Sequence, residues 1–167
     1  FLGCKKLGNV TIPDSVTSIG KSAFQYCESF TSLTIPDSVT SVGAYAFDNC
    51  TGLESITVPA HAIARIYRAN LKTAVITSGT EVSGFSECKS LTSVTLPDTL
   101  TAIGYRAFYK CESLTSITLP DSVTSIGEDA FRDCTSLEEI NIPDGVTSIG
   151  NYAFLGCTSL EEINIPD

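Results

Sequence analysis

A repeat of 23 residues dominates this chain and limits the folds that it can adopt. The cysteines stand at positions 4, 27, 50, 88, 111, 134 and 157, so five of the six intervals are 23 residues and one is 38. The segments between them read approximately LxxIxIPDxVTxIGxxAFxxCxS, and CTSLEEINIPD occurs twice without change, at 134–144 and 157–167. A fixed period of this length is typical of a solenoid, in which each unit buries its apolar side against the next unit.

The repeat divides the chain into about eight units, some of them partial, which we expect to form one domain spanning residues 1–167. The 38-residue interval splits into steps of 18 and 20, because the LxxIxI spacing is kept at 53–58 and 71–76 while the residues that follow it change. The pattern is therefore irregular at 59–90. Because the chain begins and ends within a unit, we expect a fragment of a larger protein that lacks end caps. The units align on Leu7, Phe30, Leu53, Leu71, Leu91, Leu114, Leu137 and Leu160.

Each unit predicts two short strands and two turns. In LxxIxI the apolar residues alternate with Thr or Asn and are largely β-branched, which is typical of a half-buried strand. Pro-Asp then ends the strand in a turn. VTSIG predicts a second short strand, whose glycine we expect to adopt a backbone angle that other residues resist. AFxxC is long enough only for one helical or 3-10 turn. The fold class is a repeat solenoid with a parallel β-sheet on one face.

We interpret the cysteines as buried free thiols that pack beneath a ladder of phenylalanines. Equivalent residues of stacked units point the same way and lie ~5 Å or more apart, whereas a disulfide needs facing Cβ atoms about 3.8 Å apart. The number of cysteines, 7, is odd, there is no CxxC pair, and the chain has one histidine, all of which disfavour disulfides or structural zinc. The expected aromatic ladder is Phe24, Phe47, Phe85, Phe108, Phe131 and Phe154.

Charge and motifs exclude several classes of function. The net charge of −9 disfavours nucleic acids and anionic membranes as partners. No stretch approaches the ~18 apolar residues of a membrane span, and no signal-peptide pattern is present. The chain lacks GxGxxG, GxxxxGK[ST] and GxSxG, and His61 has no recognisable nucleophile context. We therefore expect no catalytic, cofactor-binding or metal-binding residues, and no enzyme.

The exposed positions of the LxxIxI strands are the first candidate for partner binding. The alternative is that their threonines simply suit a strand and pair across it. The charge on the chain is also asymmetric, because Arg132 is the one basic residue from position 112 onward. This asymmetry would direct a basic partner toward the C-terminal half, or it would serve solubility alone. The candidate residues are Thr57, Val75, Thr95, Thr118, Glu139 and Asn141.

The segment AHAIARIYRAN at 60–70 is the second candidate. Its apolar residues fall at helical spacing, so the segment predicts an α-helix that replaces the usual turn and second strand. The helix would form a basic ledge against an acidic background, with Arg65, Tyr67 and Arg68 available to a partner. The alternative is a variant unit that only bends the solenoid.

The unit LxxIxIPDSVTSIGxxAFxxC resembles the leucine-rich repeat of the Treponema type, found in the Bacteroides surface protein A-like (BspA-like) family of bacterial and some protist surface proteins. The unit length, the Pro-Asp turn, the Ile-Gly pair and the AFxxC tail match together in five or more units, over essentially the whole chain. The chain departs from the pattern at 59–90, where Pro59 lacks its Asp and GFSEC replaces AFxxC. The resemblance implies a leucine-rich-repeat solenoid with no catalytic residues.

The resemblance also implies a function and a location. Members of the family are cell-surface or secreted proteins that bind other proteins, including host extracellular matrix in some cases. We therefore expect a protein–protein interaction module that serves adhesion. Two alternatives stay open: a structural stalk or spacer that presents another domain, and an accessory binding region of a surface enzyme. Uncapped apolar ends would also allow a homodimer.

Overall fold

The computed structural model describes residues 1–63, 66, 70–163 and 165, which form a parallel β-solenoid. The fold class expected from the repeat is confirmed. Strands of two to four residues alternate with turns, and one short helix interrupts the series. In chain order the elements are β1 (Ser18–Ile19), β2 (Ser32–Thr34), β3 (Ser41–Val42), β4 (Ser55–Val58), α1 (Ala60–Ile63), β5 (Thr73–Ile76), β6 (Glu81–Val82), β7 (Ser93–Thr95), β8 (Ala102–Ile103), β9 (Ser116–Thr118), β10 (Ser125–Ile126), β11 (Glu139–Asn141) and β12 (Ser148–Ile149).

Two strands per unit build two separate sides of the solenoid. The LxxIxI strands pair in parallel as β2-β4-β5-β7 and as β9-β11. The VTSIG strands pair in parallel as β1-β3 and as β6-β8-β10-β12. Most strands place a buried apolar side chain next to exposed or half-buried ones, so that the sheets enclose a continuous apolar core; in β12 both residues are exposed.

The AFxxC segments form a third hydrogen-bonded side. Phe108 N donates to Ala130 O of the next unit at 2.8 Å, while Cys111 N donates back to Phe108 O at 3.1 Å. Successive N–H groups donate alternately to the next unit and within their own turn. Every fourth residue of these segments has a positive φ, such as Arg106 (50°) and Lys110 (56°). The segments are therefore linked β-turns, and the expected helical or 3-10 turn is wrong. The non-glycine residues at positive φ are Ser22, Tyr26, Tyr45, Asn49, Glu87, Arg106, Lys110, Asp129, Asp133 and Tyr152.

The glycine after the second strand is required by close packing and not, as expected, by its φ angle. A Cβ on Gly127 would stand 2.7 Å from the carbonyl carbon of Gly104 in the preceding unit. Gly20 has the same position in its unit, yet a Cβ there would meet no atom within 4 Å. The backbones of Gly104 and Gly127 thus approach each other too closely for a side chain at Gly127, whereas Gly20 stands at the first such corner of the chain and leaves room for one.

The helix predicted over 60–70 is present at its start, and part of the segment lies outside the described residues. Helix α1 spans Ala60–Ile63, and Ile66 lies outside it with its N–H donating to Ile63 O at 2.9 Å. Ile66 is buried in the core, and Leu71 is buried as the first core residue of the next unit. Residues 64, 65 and 67–69 of the predicted helix lie outside the described part of the chain. No helix among the described residues is long and apolar enough to cross a membrane.

The phenylalanine ladder is present in two stacks. Ring centroids are 5.5 Å apart for Phe85 and Phe108, and 5.3 Å apart for Phe108 and Phe131, with nearly parallel planes. A second stack joins Phe24 and Phe47 at 5.4 Å. Offset stacking at this distance follows directly from the spacing of the stacked units. The segment that holds α1 separates the two stacks.

The cysteines lie beneath this ladder as free thiols, as expected. Five are buried, whereas Cys157 is partly exposed and Cys4 is exposed. Burial raises the pKa of the Cys50, Cys88 and Cys157 thiols to about 11 and that of Cys134 to about 12. These thiols therefore stay protonated at neutral pH.

Candidate binding surface

The exposed side of the LxxIxI strands carries a row of aligned side chains that includes the first set of predicted residues. Parallel pairing places Thr57 beside Val75 and Val75 beside Thr95. In the next group of strands, Thr118 pairs with Asn141. We call this row, together with Glu139 in the adjoining register position, the strand face.

The strand face is rigid because every second residue of its strands belongs to the core. Ile56, Ala74 and Val94 are buried and occupy paired register positions directly between the exposed ones. The exposed side chains therefore have no freedom to turn inward, since a shift of one residue would expose the core. Val75 is 40% exposed and places an apolar patch among the threonines.

The strand face becomes acidic toward the C-terminal units. Ser116 of β9 pairs with Glu139 of β11, so that the position changes from hydroxyl to carboxylate within one step. A depression of about 400 Å³ beside it is lined by Glu138, Ser159 and Glu161. The acidic end of the strand face thus combines Glu139 with the nearby Glu138 and Glu161.

The second predicted surface falls mostly outside the described residues. Arg65, Tyr67 and Arg68 belong to the part of the chain that the structure does not describe. Helix α1, which precedes them, is held by neighbouring units: His61 Nε2 lies 2.8 Å from Val39 O, and Ala60 N donates to Ser78 O at 2.9 Å. His61 is exposed and also forms this contact.

The carboxylate of Asp37 is hydrogen-bonded to the irregular segment at the surface of the solenoid. Asp37 accepts hydrogen bonds from Thr77 Oγ1 at 2.7 Å and from Ser78 Oγ at 2.8 Å, across one whole unit. These hydrogen bonds lower the pKa of Asp37 below its ordinary value, with a smaller effect of His61 in the same direction. Although Pro-Asp was expected only to end a strand, here the aspartate also ties two units together.

The sequence pattern did not reveal a cluster of cationic and aromatic side chains on the turn side. The guanidinium carbon of Arg106 lies 5.0 Å from the ring centroids of both Tyr105 and Tyr109. That of Arg132, one unit further on, lies 6.0 Å from the rings of Tyr109 and Tyr152. We call these five residues the arginine–tyrosine cluster. A signal existed, because five of the six tyrosines of the chain fall within the longer GxxAFxxC segments.

Asp129 anchors the arginine–tyrosine cluster from below. Its side chain is 3% exposed, and it accepts hydrogen bonds from Arg106 Nε at 3.0 Å and from an Arg132 terminal nitrogen at 3.2 Å. Burial acts to raise the pKa of Asp129, but the hydrogen bonds from both arginines outweigh it and hold the pKa below its ordinary value. Asp129 is therefore ionised at neutral pH and orients both guanidinium groups.

The parallel strands, the Pro-Asp turns and the stacked AFxxC segments define a leucine-rich-repeat solenoid. The family described as "BspA type Leucine rich repeat region (6 copies)" matches residues 1–73 and 67–167. The chain belongs to this BspA-type leucine-rich repeat family, which confirms the resemblance stated from the repeat unit. None of the curated protein sequences compared with this chain matches it.

Solved structures of bacterial leucine-rich repeat proteins are similar to the whole chain. A leucine-rich repeat protein from Bacteroides ovatus is 36% identical with a TM-score of 0.79, and the match covers 96% of this chain and 43% of that protein. A leucine rich cell surface protein from Faecalibacterium prausnitzii is 26% identical with a TM-score of 0.57 and coverages of 98% and 61%. A leucine-rich repeat protein from Eubacterium ventriosum is 31% identical with a TM-score of 0.55 and coverages of 91% and 37%. The chain thus spans less than two thirds of each of these proteins.

Proposed function

We propose that this chain is a protein-binding module of a bacterial cell-surface or secreted protein, and that the strand face is its contact surface. The observation that carries the proposal is the in-register row of exposed side chains on a sheet whose other side is the core. A rigid row loses little conformational entropy when a partner binds. The leucine-rich repeat is a generic protein-interaction fold, and such repeat families are non-catalytic binding modules.

The charge of the strand face favours a partner with a basic patch. Glu138, Glu139 and Glu161 are all exposed at the acidic end, and the whole chain has a net charge of −9. Charge complementarity at the rim of an interface mainly raises the association rate and is weakened by salt. The proposed complex should therefore form more slowly as the ionic strength rises.

A more specific version of this proposal is that the chain serves adhesion to host or matrix proteins. It is supported by membership of the BspA-type family and by similarity to a protein described as a leucine rich cell surface protein. A structural spacer is the competing function, because a solenoid of regular units also gives a stiff rod. Binding to a purified partner separates the two.

The test is a binding screen of the isolated chain against purified fibronectin, laminin and collagen by surface plasmon resonance. We expect one of them to bind and the double variant Glu138→Lys, Glu139→Lys to lower its association rate by about tenfold. The matched control is Asp121→Lys with Asp144→Lys, a double charge reversal at exposed Pro-Asp turns. Absence of binding to all three proteins would favour the spacer. If both double variants lowered the association rate equally, the strand face would not be the contact surface. Sedimentation of the free chain would show whether a homodimer forms.

A further inference from the structure

At the end of the solenoid that contains Phe1, one of the three sides is a strand shorter than the other two. Phe1 stacks on Phe24 with ring centroids 5.2 Å apart, so the turn side extends one layer beyond Phe24. Thr11 forms a parallel bridge to Thr34, so the side of the LxxIxI strands extends by the same layer. The sheet of VTSIG strands, which we call the VTSIG sheet, instead begins at β1, whose pairing among the described residues is with β3 alone. The first layer therefore has an open space on this side.

This space is an apolar groove of about 340 Å³. Phe1 is 68% exposed there, whereas Phe131, at the same position of a stacked unit, is fully buried. No charged side chain is among the described residues that line the groove. The groove therefore favours an uncharged and largely apolar occupant. Its apolar lining comes mainly from Phe1, Val10, Ile12, Val16, Ile19 and Phe24.

The free edge of β1 carries backbone groups that an added strand would engage. In later units the glycine N–H that follows the VTSIG strand donates to the strand before it, as Gly150 N does to Ile126 O at 2.8 Å. The threonine N–H at the start of the strand donates in the same direction. The corresponding N–H groups of Thr17 and Gly20 have no acceptor within the described part of the chain. An exposed edge of this kind is a template for one more parallel strand.

Gly20 leaves room for that strand. A Cβ on Gly43, at the same position of the next unit, would stand 2.7 Å from the carbonyl carbon of Gly20, and one on Gly150 would stand 2.6 Å from that of Gly127. A Cβ on Gly20 would meet no atom within 4 Å, so nothing among the described residues requires a glycine there. An added strand would place its backbone against Gly20 as the end of β1 lies against Gly43.

The regular units of this chain show which sequence fills the equivalent space. Segments close to the pattern VxxIGxxA occupy it, as at 123–130, where Val123 and Ile126 are buried in the core. One strand fits the groove and a whole unit does not. The reason is that residues 1–4, with the sequence FLGC, already occupy the turn position that the same four letters hold at 154–157. The groove is thus matched to a single extended segment and not to the intact last unit of a second copy.

We propose that this groove binds an extended segment of the pattern VxxIGxxA, which a second leucine-rich-repeat chain donates as one parallel strand to the free edge of β1. The valine and the isoleucine of the segment pack against Val16 and Ile19, and its carbonyl groups accept the N–H groups of Thr17 and Gly20. Main-chain hydrogen bonds provide affinity in this mode of recognition, and pockets for alternate side chains provide specificity. Because the pattern is that of the repeat itself, the donor belongs to the same class of protein. The groove is separate from the strand face, so this proposal does not rest on the proposed function.

The test is a titration of the ¹⁵N-labelled chain with the peptide acetyl-GVTSIGNYA-amide, which has the sequence of residues 145–153. Hydrogen exchange of the Thr17 and Gly20 amides should become about tenfold slower at saturation, because both gain an acceptor. A peptide with aspartate in place of the valine and the isoleucine should bind at least about tenfold more weakly. Equal binding of the two peptides would overturn the proposal. So would slow exchange of these amides that depends on protein concentration without peptide, which indicates a second copy, bound through its intact end, as the occupant.

Matched glycine variants test the position of the site. Gly20→Ala should weaken peptide binding by about tenfold, because its Cβ would collide with the backbone of the added strand, although it meets no atom within 4 Å in the free chain. Gly8→Ala is the control, since a Cβ on Gly8 also meets no atom within 4 Å and Gly8 is not among the described residues that line the groove. Equal effects of the two variants would overturn the proposal. The double variant Glu138→Lys, Glu139→Lys should bind the peptide normally, so that failure of the strand face and failure of this site are distinguishable.

Discussion

The thiol of Cys134 donates a hydrogen bond to the main-chain oxygen of Phe108 in the preceding unit, at a distance of 3.0 Å. The same bond joins Cys111 to Phe85 at 3.2 Å. Because the cysteine of one unit bonds the phenylalanine of the unit before it, the two most regular residues of the repeat are coupled. The cysteine is thus both a small apolar residue and a donor that links neighbouring units.

Replacing Cys134 with alanine should destabilise the chain by about 1–3 kcal/mol, since it removes the bond to Phe108 and leaves a small cavity in the core. The measurement is urea unfolding followed by circular dichroism. Cys4→Ala is the control, because Cys4 is exposed, and it should change the free energy of unfolding by less than ~0.5 kcal/mol. Similar values for both variants would contradict the role assigned to Cys134.

Alkaline pH should weaken the fold through the buried thiols. Burial raises the pKa of Cys134 from an ordinary 9.0 to about 12, so the folded chain holds this proton more tightly than the unfolded chain. The stabilisation is complete below pH 9.0 and is lost as the pH rises toward about 12. The free energy of unfolding should therefore fall with rising pH in this range, and more gently in Cys134→Ala. An identical slope in the variant would show that other groups dominate.

Gly127→Ala should be strongly destabilising, although alanine suits most backbone conformations. Its Cβ would stand 2.7 Å from the backbone of Gly104, and such overpacking typically costs about 1–3 kcal/mol. The matched variant is Gly20→Ala, where the Cβ would meet no atom within 4 Å. Thermal unfolding of both variants measures the difference. A tolerated Gly127→Ala would mean that adjacent units can separate without loss of the core.

Asp129→Asn should lower the melting temperature and reduce the sensitivity of stability to acid. The arginines hold the pKa of Asp129 below its ordinary 3.8, so its contribution is present above pH 3.8 and is lost as the pH falls below that value. Asparagine cannot carry the charge that orients Arg106 and Arg132. Melting curves at neutral and acid pH give the comparison, with Asp121→Asn, at an exposed turn, as the control. Unchanged acid sensitivity would contradict this role for Asp129.

The 23-residue repeat was sufficient to predict the solenoid, the parallel strands and the buried phenylalanines and cysteines. These features are predictable because stacking imposes the same environment at the same position of every unit. The same type of core residue therefore recurs at that position in several units. The turn side was misread for a different reason. The sequence AFxxC permits a helical turn, whereas in the stacked units alternate N–H groups donate to the next unit and every fourth residue has a positive φ.

The irregular segment could be compared with its prediction only in part. Helical spacing at 60–70 predicts a helix, and the structure shows one at Ala60–Ile63. Ile66 lies outside α1 and is buried in the core, while residues 64, 65 and 67–69 are not described.

The strand face could be predicted from the sequence, whereas the arginine–tyrosine cluster could not. Alternation within LxxIxI is enough to tell which side of each strand faces solvent, and the strand face follows from it. The arginine–tyrosine cluster does not follow from the sequence, because Arg106, Asp129 and Tyr152 lie a full unit apart along the chain and belong to the variable positions of the repeat. Stacking brings Arg106 within 3.0 Å of Asp129 and places the guanidinium carbon of Arg132 6.0 Å from the Tyr152 ring. Sequence periodicity thus reports what all units share, while contacts between dissimilar side chains exist only once the units are stacked.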